Sequence, residues 1–594
     1  MLRALAVSVA LLAASAVSAI PAAAQLPLPP TGGSGDPPPP DHPPAVAPAL
    51  PGTDAVATEG LDSARDNWSG DAMLRPPFGV LWKANLPEDP EAVVTGAGRV
   101  FVKLPGEVIG LDGANGHVLW RLKLTRVVDV AFAGGLVLVA SEDGLRGVSP
   151  ATGAVAWTRP ETKMDSITPV GGDVVFNSTA PQERLKTKLV DAATGTSRWE
   201  ITHEAYANDL RAAAAGDRIY FGGDCNAEAL DRRNGAVIWT RGFGCSGGGH
   251  FEVTRLVDTR LAITVPGTSA VRWLQAADGA DASLLPEPRV LADGVGVFVR
   301  EEHPIQAYNV ADGASLWSFS TANPYLPTAV GVADQLVVTD AHELHVLGLH
   351  DGQERWAARV QHASRIGPVI PGAGLLLVEA DEGLLALAPR SRTGPPRLKL
   401  ELPNAAHEYG RPYVIPGTVG IDLTRRSAVR VVADKYPYGR GATRAHTIHA
   451  DMDGRFELRL HPKRATRYRL SAEGGKPRTW FGLVLPRYRP HFTHPTPTSV
   501  LARVSVRLPR SVRAGGHVFG LYLGQAHEKR FLRLGRTRLH GGHGSFRATV
   551  RFRALSHVKR TDFIAFCIRG IASEGIGFGD RFERRCGAAS VRYQ

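Results

Sequence analysis

Four cysteines, twenty histidines and scattered carboxylates are the groups in this 594-residue chain most able to do chemistry, and their spacing limits what they could do. Cys225 and Cys245 flank the segment ending at Trp239, the second of them inside the loop GFGCSGGGH, while Cys567 and Cys586 flank a late hairpin. Each pair reads as a structural disulfide, one stapling a long loop and one closing a hairpin, rather than as a reactive or metal-bound thiol. His540 and His543, in HGGH, have a spacing that can ligate a metal. With no carboxylate or thiol pattern beside them, they read as a polar turn. Glu301, Glu302, His303, Asp340, His342, Glu379, Asp381 and Glu382 form a second set of candidates. None has the ligand spacing that would specify a metal, so they read as solvated loop residues. The sequence assigns no catalytic, cofactor-binding or metal-ligating residue.

The elements that must carry these side chains are marked by a repeat. LDGANGHVLW (Leu111 to Trp120) recurs as SPATGAVAW (Ser149 to Trp157), DAATGTSRW (Asp191 to Trp199), DRRNGAVIW (Asp231 to Trp239), VADGASLW (Val310 to Trp317) and HDGQERW (His350 to Trp356). In each copy a glycine stands four residues before a tryptophan: Gly116/Trp120, Gly153/Trp157, Gly195/Trp199, Gly235/Trp239, Gly313/Trp317 and Gly352/Trp356. Two degenerate copies keep the register, Gly279 before Ser283 and Gly394 before Leu398, and Trp82 opens the series as a half-repeat. The Asp or Asn and the Gly supply a side-chain turn bond and a positive backbone angle, after which β-branched residues and Trp resume a strand. Markers fall about every 34 to 44 residues, the length of a four-stranded blade. A lone blade cannot bury both faces, so the units must pack side by side and the ring must close. The spacing predicts an all-β, eight-bladed β-propeller, with seven blades as the alternative count.

The run D-x-x-T-G-x-x-x-W at Asp191 to Trp199 resembles the tryptophan-docking repeat of the pyrroloquinoline quinone (PQQ)-like β-propeller superfamily. That superfamily includes quinoprotein alcohol dehydrogenases and the non-catalytic BamB-type outer-membrane assembly factors, and the likeness covers roughly residues 78 to 402. For the enzymes the resemblance implies a quinone held under an adjacent Cys-Cys disulfide and over a calcium or lanthanide ion bound by carboxylates and Asn, with an Asp as base. This chain has no adjacent cysteine pair, no C-x-x-C-H haem run and blades of near-minimal length. The expectation is a secreted, non-enzymatic scaffold that binds a protein or cell-envelope component and carries no cofactor. A PQQ-dependent oxidoreductase is the alternative.

In chain order, residues 1–24 read as a signal peptide: Arg3, an apolar run too short to span a membrane, then Ala22 to Ala24. Residues 25–61 are a Pro-rich disordered linker. The propeller takes 62–402 and a linker 403–417. Short alternating strands then predict two β-sandwich modules, 418–487 and 488–594, which resemble immunoglobulin-like or fibronectin-like accessory modules. The expected location is extracellular, cell-surface or periplasmic, with no transmembrane segment in the mature chain.

Charge divides the molecule. Of 69 basic and 57 acidic residues, 38 and 13 lie beyond residue 396, so the two parts carry about −13 and +25. The basic part fits docking on a polyanion such as cell-wall polymer, acidic glycan, anionic lipid or DNA. It equally fits strands that use arginine to keep an outer face wet. Aromatic residues are too sparse among the arginines for a single-stranded nucleic-acid platform.

Overall fold

The computed structural model describes residue 61 and residues 67–589 except 162, 179–185, 203–211, 223–225, 244–251, 258, 265–270, 283–287, 300–302, 322–327, 362, 364, 382, 404–406, 436–443, 526–529, 556–562, 572–575 and 577–585. The signal-peptide reading, the Pro-rich linker up to residue 60, Cys225, Cys245 and Ser283 lie outside these residues, while Leu61, read as the end of the linker, is buried in the core of sheets seven and eight.

From residue 78 to residue 389 the described residues form eight antiparallel sheets in succession. Sheets one to four span 92–123, 127–159, 164–202 and 213–242, each with its four strands in sequence order. Sheet five (252–275) has three described strands, sheet six (290–319) has four, and sheet seven (328–360) has four with an additional strand on each edge. Sheet eight is composite: its first three strands come from 366–389, and its outermost is Phe78–Asn85, whose Trp82 pairs with Ala386.

Alternate residues of each strand point to opposite sides, and in the inner strands of these sheets both sides are buried, which is why strands such as Arg99–Leu104 and Leu136–Ser141 read as nearly continuous apolar runs, whereas outer strands such as Ser197–Thr202 are half exposed. Val100 and Val102 face sheet eight, while Phe101 between them faces sheet two. Consecutive sheets thus share cores. Leu138 and Val174 join two to three, Leu189 and Ile219 three to four, Ala229 and Leu261 four to five, and Trp273 with Leu291 five to six. Val297 and Leu336 join six to seven, and Val346 and Val378 join seven to eight. The eighth core, Trp82 and Leu377 with Val102 and Ile109, returns to sheet one. First strands also touch at the steps from one to five, six to seven, seven to eight and eight to one.

The repeat forms the third turn of its sheet. Gly195 N–H donates to Asp191 O at 2.8 Å, Ala193 N–H donates to Asp191 Oδ1 at 3.0 Å, and Gly195 has φ +74°. The tryptophan that docks on this glycine belongs to the preceding sheet. Trp157 lies flat on Gly195, where a Cβ would come within 2.7 Å of the ring, and its Nε1 donates to Ala192 O at 3.2 Å. The same step links Trp82 to Gly116, Trp120 to Gly153, Trp199 to Gly235, Trp239 to Gly279 and Trp317 to Gly352. Their indole nitrogens donate to Gly113 O, Pro150 O, Arg232 O, Ala276 O and Leu349 O at 2.7–3.1 Å. Gly279, read as degenerate, makes the contact in full.

Gly394 does not repeat this arrangement. It ends the short helix Arg390–Thr393, no atom lies within 4 Å of its would-be Cβ, and Leu398 enters a sheet of the C-terminal part. Trp356, which would have docked there, packs edge-on against Phe78 at 5.5 Å, and its buried Nε1 has no partner among the described residues. The physical reason is the composite sheet: Phe78–Asn85 already fills the outer position that a returning strand would take.

The N-terminal residues add a parallel strand, Trp68–Ser69, to Thr328–Val332, the first strand of sheet seven. The Trp68 indole lies against Gly331 and donates to Ala333 O at 2.9 Å. On the opposite edge, Leu423–Thr424 pairs with Val360 and Arg359.

Beyond the ring, the strands form two pairs of sheets. The first pair encloses Ile415, Val429, Val431, Leu458, Leu470 and Trp480. It begins earlier than the sequence reading, because Leu398–Leu400 pairs with Tyr413–Val419, and part of the latter falls within the stretch read as a linker. The second pair, Arg487–Thr496 with Ser499–Arg507 and Ser545–Arg553 against Val518–Gln525 with Phe563–Ile568, encloses Val504, Phe519, Leu521, Phe546 and Phe566. Arg359 to Asp453 (2.6 Å) and Arg390 to Glu473 (2.7 Å) tie the first pair to sheets seven and eight.

Trp120→Ala should lower the unfolding free energy by about 3–5 kcal/mol, the cost of emptying a buried aromatic site. Trp120→Phe should recover most of that loss but forfeit about 1 kcal/mol for the hydrogen bond to Pro150 O. Urea midpoints of the two variants check both values.

Candidate functional site

Antiparallel order gives each sheet two ends. The glycine turns lie at one end, and at the other lie the hairpins between second and third strands together with the sheet-to-sheet connections. The described candidates fall at this second end, on the middle hairpins of three successive sheets: His303 on sheet six, Asp340 and His342 on seven, Glu379 and Asp381 on eight. Glu301, Glu302 and Glu382 lie outside the described residues. Sequence reasoning found the residue types but had no means of placing them on one face.

Here a cleft of about 330 Å³ opens between sheets seven and eight and the first C-terminal pair. Lys83 and Asn85 line it from the outer strand of sheet eight, Gln361 from the connection after sheet seven, Asp381 from the hairpin, and Asp422 from the C-terminal part. Gln361 is held at both ends, its N–H donating to Asp422 O at 2.9 Å and its Nε2 to Thr424 Oγ1 at 2.8 Å. Asp381 sits in a turn with φ +44°, where its own C=O accepts from Gly383 N–H. One ammonium, two carboxylates and two amides on a partly apolar floor suit recognition of a polar chain segment.

Glu379 stands behind this cleft, against Gly367, where a Cβ would lie 3.0 Å from its Oε2. Burial, helped by the charge of Asp89, pushes its carboxyl up to about 7. On the other side of the cleft Glu343 receives Arg359, and His345 Nδ1 lies 2.8 Å from Glu354 Oε1. Arg390 and Arg425 both hold Glu473 at 2.7 Å. Burial alone would raise the Glu473 carboxyl, but the hydrogen bonds from Arg425 and Ser427 and the two guanidinium charges outweigh it and hold it low.

Comparison with known proteins places the chain. The model of the family described as outer membrane protein assembly factor BamB matches residues 79–208, 223–373 and 301–394, a little over half of the chain. The chain belongs to this BamB family. The crystal structure of BamB from Moraxella catarrhalis is similar at 18% identity and a TM-score of 0.41, covering 52% of this chain and 99% of that one. A computationally designed protein, Ika8, is similar at 13% identity and a TM-score of 0.43, with the same coverages. No curated protein matches.

The BamB family shares its repeat with quinone-binding enzymes, so the fit of PQQ to this chain can be tested on its residues. No two of the four cysteines are adjacent in sequence, and no group of three or more His, Cys, Asp or Glu among the described residues could hold a metal ion. At sheets six and seven the inner surface carries the chain's own strand, with Trp68 against Gly331 and Asn67 donating to Arg289 O. Among the described residues, these do not fit the quinone and its ion. His540 opens an exposed three-residue strand and His543 lies in the turn after it.

Because the folded state binds the Glu379 proton more tightly than the unfolded chain, its contribution to stability is full below about pH 4.5 and is lost as pH rises through about 7. Glu379→Gln should flatten the fall in melting temperature across that window while leaving the profile above it parallel to wild type. Melting curves in steps from pH 4.5 to 8.5 check this.

Proposed function

We propose that this BamB-family chain is a secreted, non-enzymatic scaffold: an eight-bladed β-propeller that binds a protein or cell-envelope component through the face of its middle hairpins, followed by two immunoglobulin-like β-sandwich modules. The observation that carries this reading is the cyclic sharing of cores among eight sheets, from the Val100 side of sheet one round to Leu377 of sheet eight. Such a ring is rigid and leaves its hairpins free to vary, the arrangement that suits recognition. The cleft lined by Lys83, Gln361, Asp381 and Asp422 is its polar centre.

Export fits the cysteines. Cys567 stands directly opposite Cys586 in an antiparallel ladder, and opposite residues in such a ladder have Cα atoms about 4.5–5.5 Å apart, within disulfide range. We propose a Cys567–Cys586 disulfide, and Cys225–Cys245 as a second. Intact mass before and after reduction and alkylation should differ as two disulfides require. Free thiols in protein isolated from an oxidising compartment would count against these disulfides.

The scaffold reading is tested by crosslinked capture of the full chain from its native envelope. A saturable partner should be lost in the double variant Lys83→Glu/Asp381→Lys and retained in a variant altered only at the exposed turn residues Asn115 and Thr152. Capture indifferent to both variants would rule out the hairpin face. Incubated with PQQ and calcium, the purified chain should give no dye-linked oxidation of alcohols or sugars above a heat-treated control, and sustained turnover would replace the scaffold with an enzyme.

A further inference from the structure

The last pair of sheets bears a strongly cationic surface. Residues 487–594 hold twenty-one lysines and arginines against five acidic residues. One sheet concentrates the cations. In Ser499–Arg507 and Ser545–Arg553, alternate residues are buried (Val500, Ala502, Val504, Val506; Phe546, Ala548, Val550, Phe552), which turns Arg503, Arg507, Arg547, Arg551 and Arg553 to the opposite side. The neighbouring strand adds Arg487 and Arg489 to the same side, because Arg487 pairs with Arg507 and Arg489 with Ser505. His491 opposite Arg503 and His540 opposite Arg547 complete the lattice.

No carboxylate occupies a position on this side of the three strands. The contrast with the first pair of sheets is direct, since there Asp434 holds Arg467 and Arg469, Glu457 holds Arg459, and Glu473 holds Arg390 and Arg425. An arginine-rich composition with wet outer faces would leave the second pair looking like the first. Like charges facing one another across strands are destabilising, so a sheet that collects seven of them needs a reason beyond solubility.

We infer that this face docks on an anionic lipid bilayer, its guanidinium groups meeting phosphate headgroups. The arginines are spread over two dimensions, about 27 Å along the strands and about 10 Å across them, rather than along one line. A planar array of phosphates meets them all at once, whereas a single linear polyanion meets one row. The remaining outward side chains are Ser, Thr and Leu501, with no Phe, Tyr or Trp to stack on a base or sugar ring. Arginine pairs with phosphate oxygens bidentately, and several cations at a membrane surface act additively. This inference is independent of the scaffold reading, which concerns the ring.

The test is co-sedimentation of the full chain with vesicles of phosphatidylglycerol and phosphatidylcholine, and with phosphatidylcholine alone. Binding should require phosphatidylglycerol and vanish at about 1 M salt, where charges are screened beyond about 3 Å. The triple variant Arg503→Glu/Arg547→Glu/Arg551→Glu should bind at least about 100-fold more weakly. Arg426→Glu/Arg430→Glu/Arg478→Glu, the same change in charge on exposed residues of the first pair of sheets, should bind within a few-fold of wild type. No sedimentation of the wild-type chain, equal loss in both variants, or retention on heparin or duplex DNA without binding to vesicles overturns the inference.

Discussion

An indole lying flat on the glycine of the next sheet is the contact on which the ring depends. It fixes three things together: a turn whose glycine has φ between +62° and +75°, the distance between neighbouring sheets, and a hydrogen bond from Nε1 to a carbonyl of the same turn. A side chain on the glycine would be excluded twice, by its backbone angle and by the ring above it. The turn chemistry that appears local is therefore a packing constraint between sheets. Where the contact fails, at Trp356, Phe78 takes over the packing and the indole nitrogen stays unpartnered among the described residues.

The repeat was legible because turn formation is local. An Asp or Asn and a Gly at fixed separation followed by Trp specify a hairpin whatever surrounds it, and Gly279 kept its role although Ser283 had lost the tryptophan. The identity of the partners was not legible. Spacing couples Gly116 to Trp120, whereas space couples Gly116 to Trp82, because the strands between them carry the chain out and back. Leu398 fits the register but not the fold, since only the pairing of Val80 and Trp82 with Leu387 and Ala386 shows that the position is already filled. The two-residue strand Trp68–Ser69 has no period to detect.

The candidate site divides along the same line. Glu379 and Asp381 could be picked out by type, but only Asp381 has the loop position expected of both; Glu379 stands in the strand Leu375–Ala380 and is largely buried rather than solvated. The Glu379 carboxyl is moved by burial, where it packs on Gly367, and by the charge of Asp89, and neither residue is near it in sequence. Asp422 lines the same cleft from beyond the ring, which no reading of the propeller repeat alone could have supplied. Arginine content of the tail was plain from composition. Its gathering on one side of a sheet emerged only from the register of the strands.

The composite eighth sheet ties synthesis order to completion of the ring. Phe78–Asn85 leaves the ribosome some three hundred residues before Gly383–Pro389, the segment it pairs with, so its apolar edge waits through the making of seven sheets. Until Gly383–Pro389 is made, Phe78–Asn85 lacks the ladder partner that closes the circle. Once the ends meet, no sheet can leave without unzipping that seam, and a break anywhere in the circle is felt all the way round.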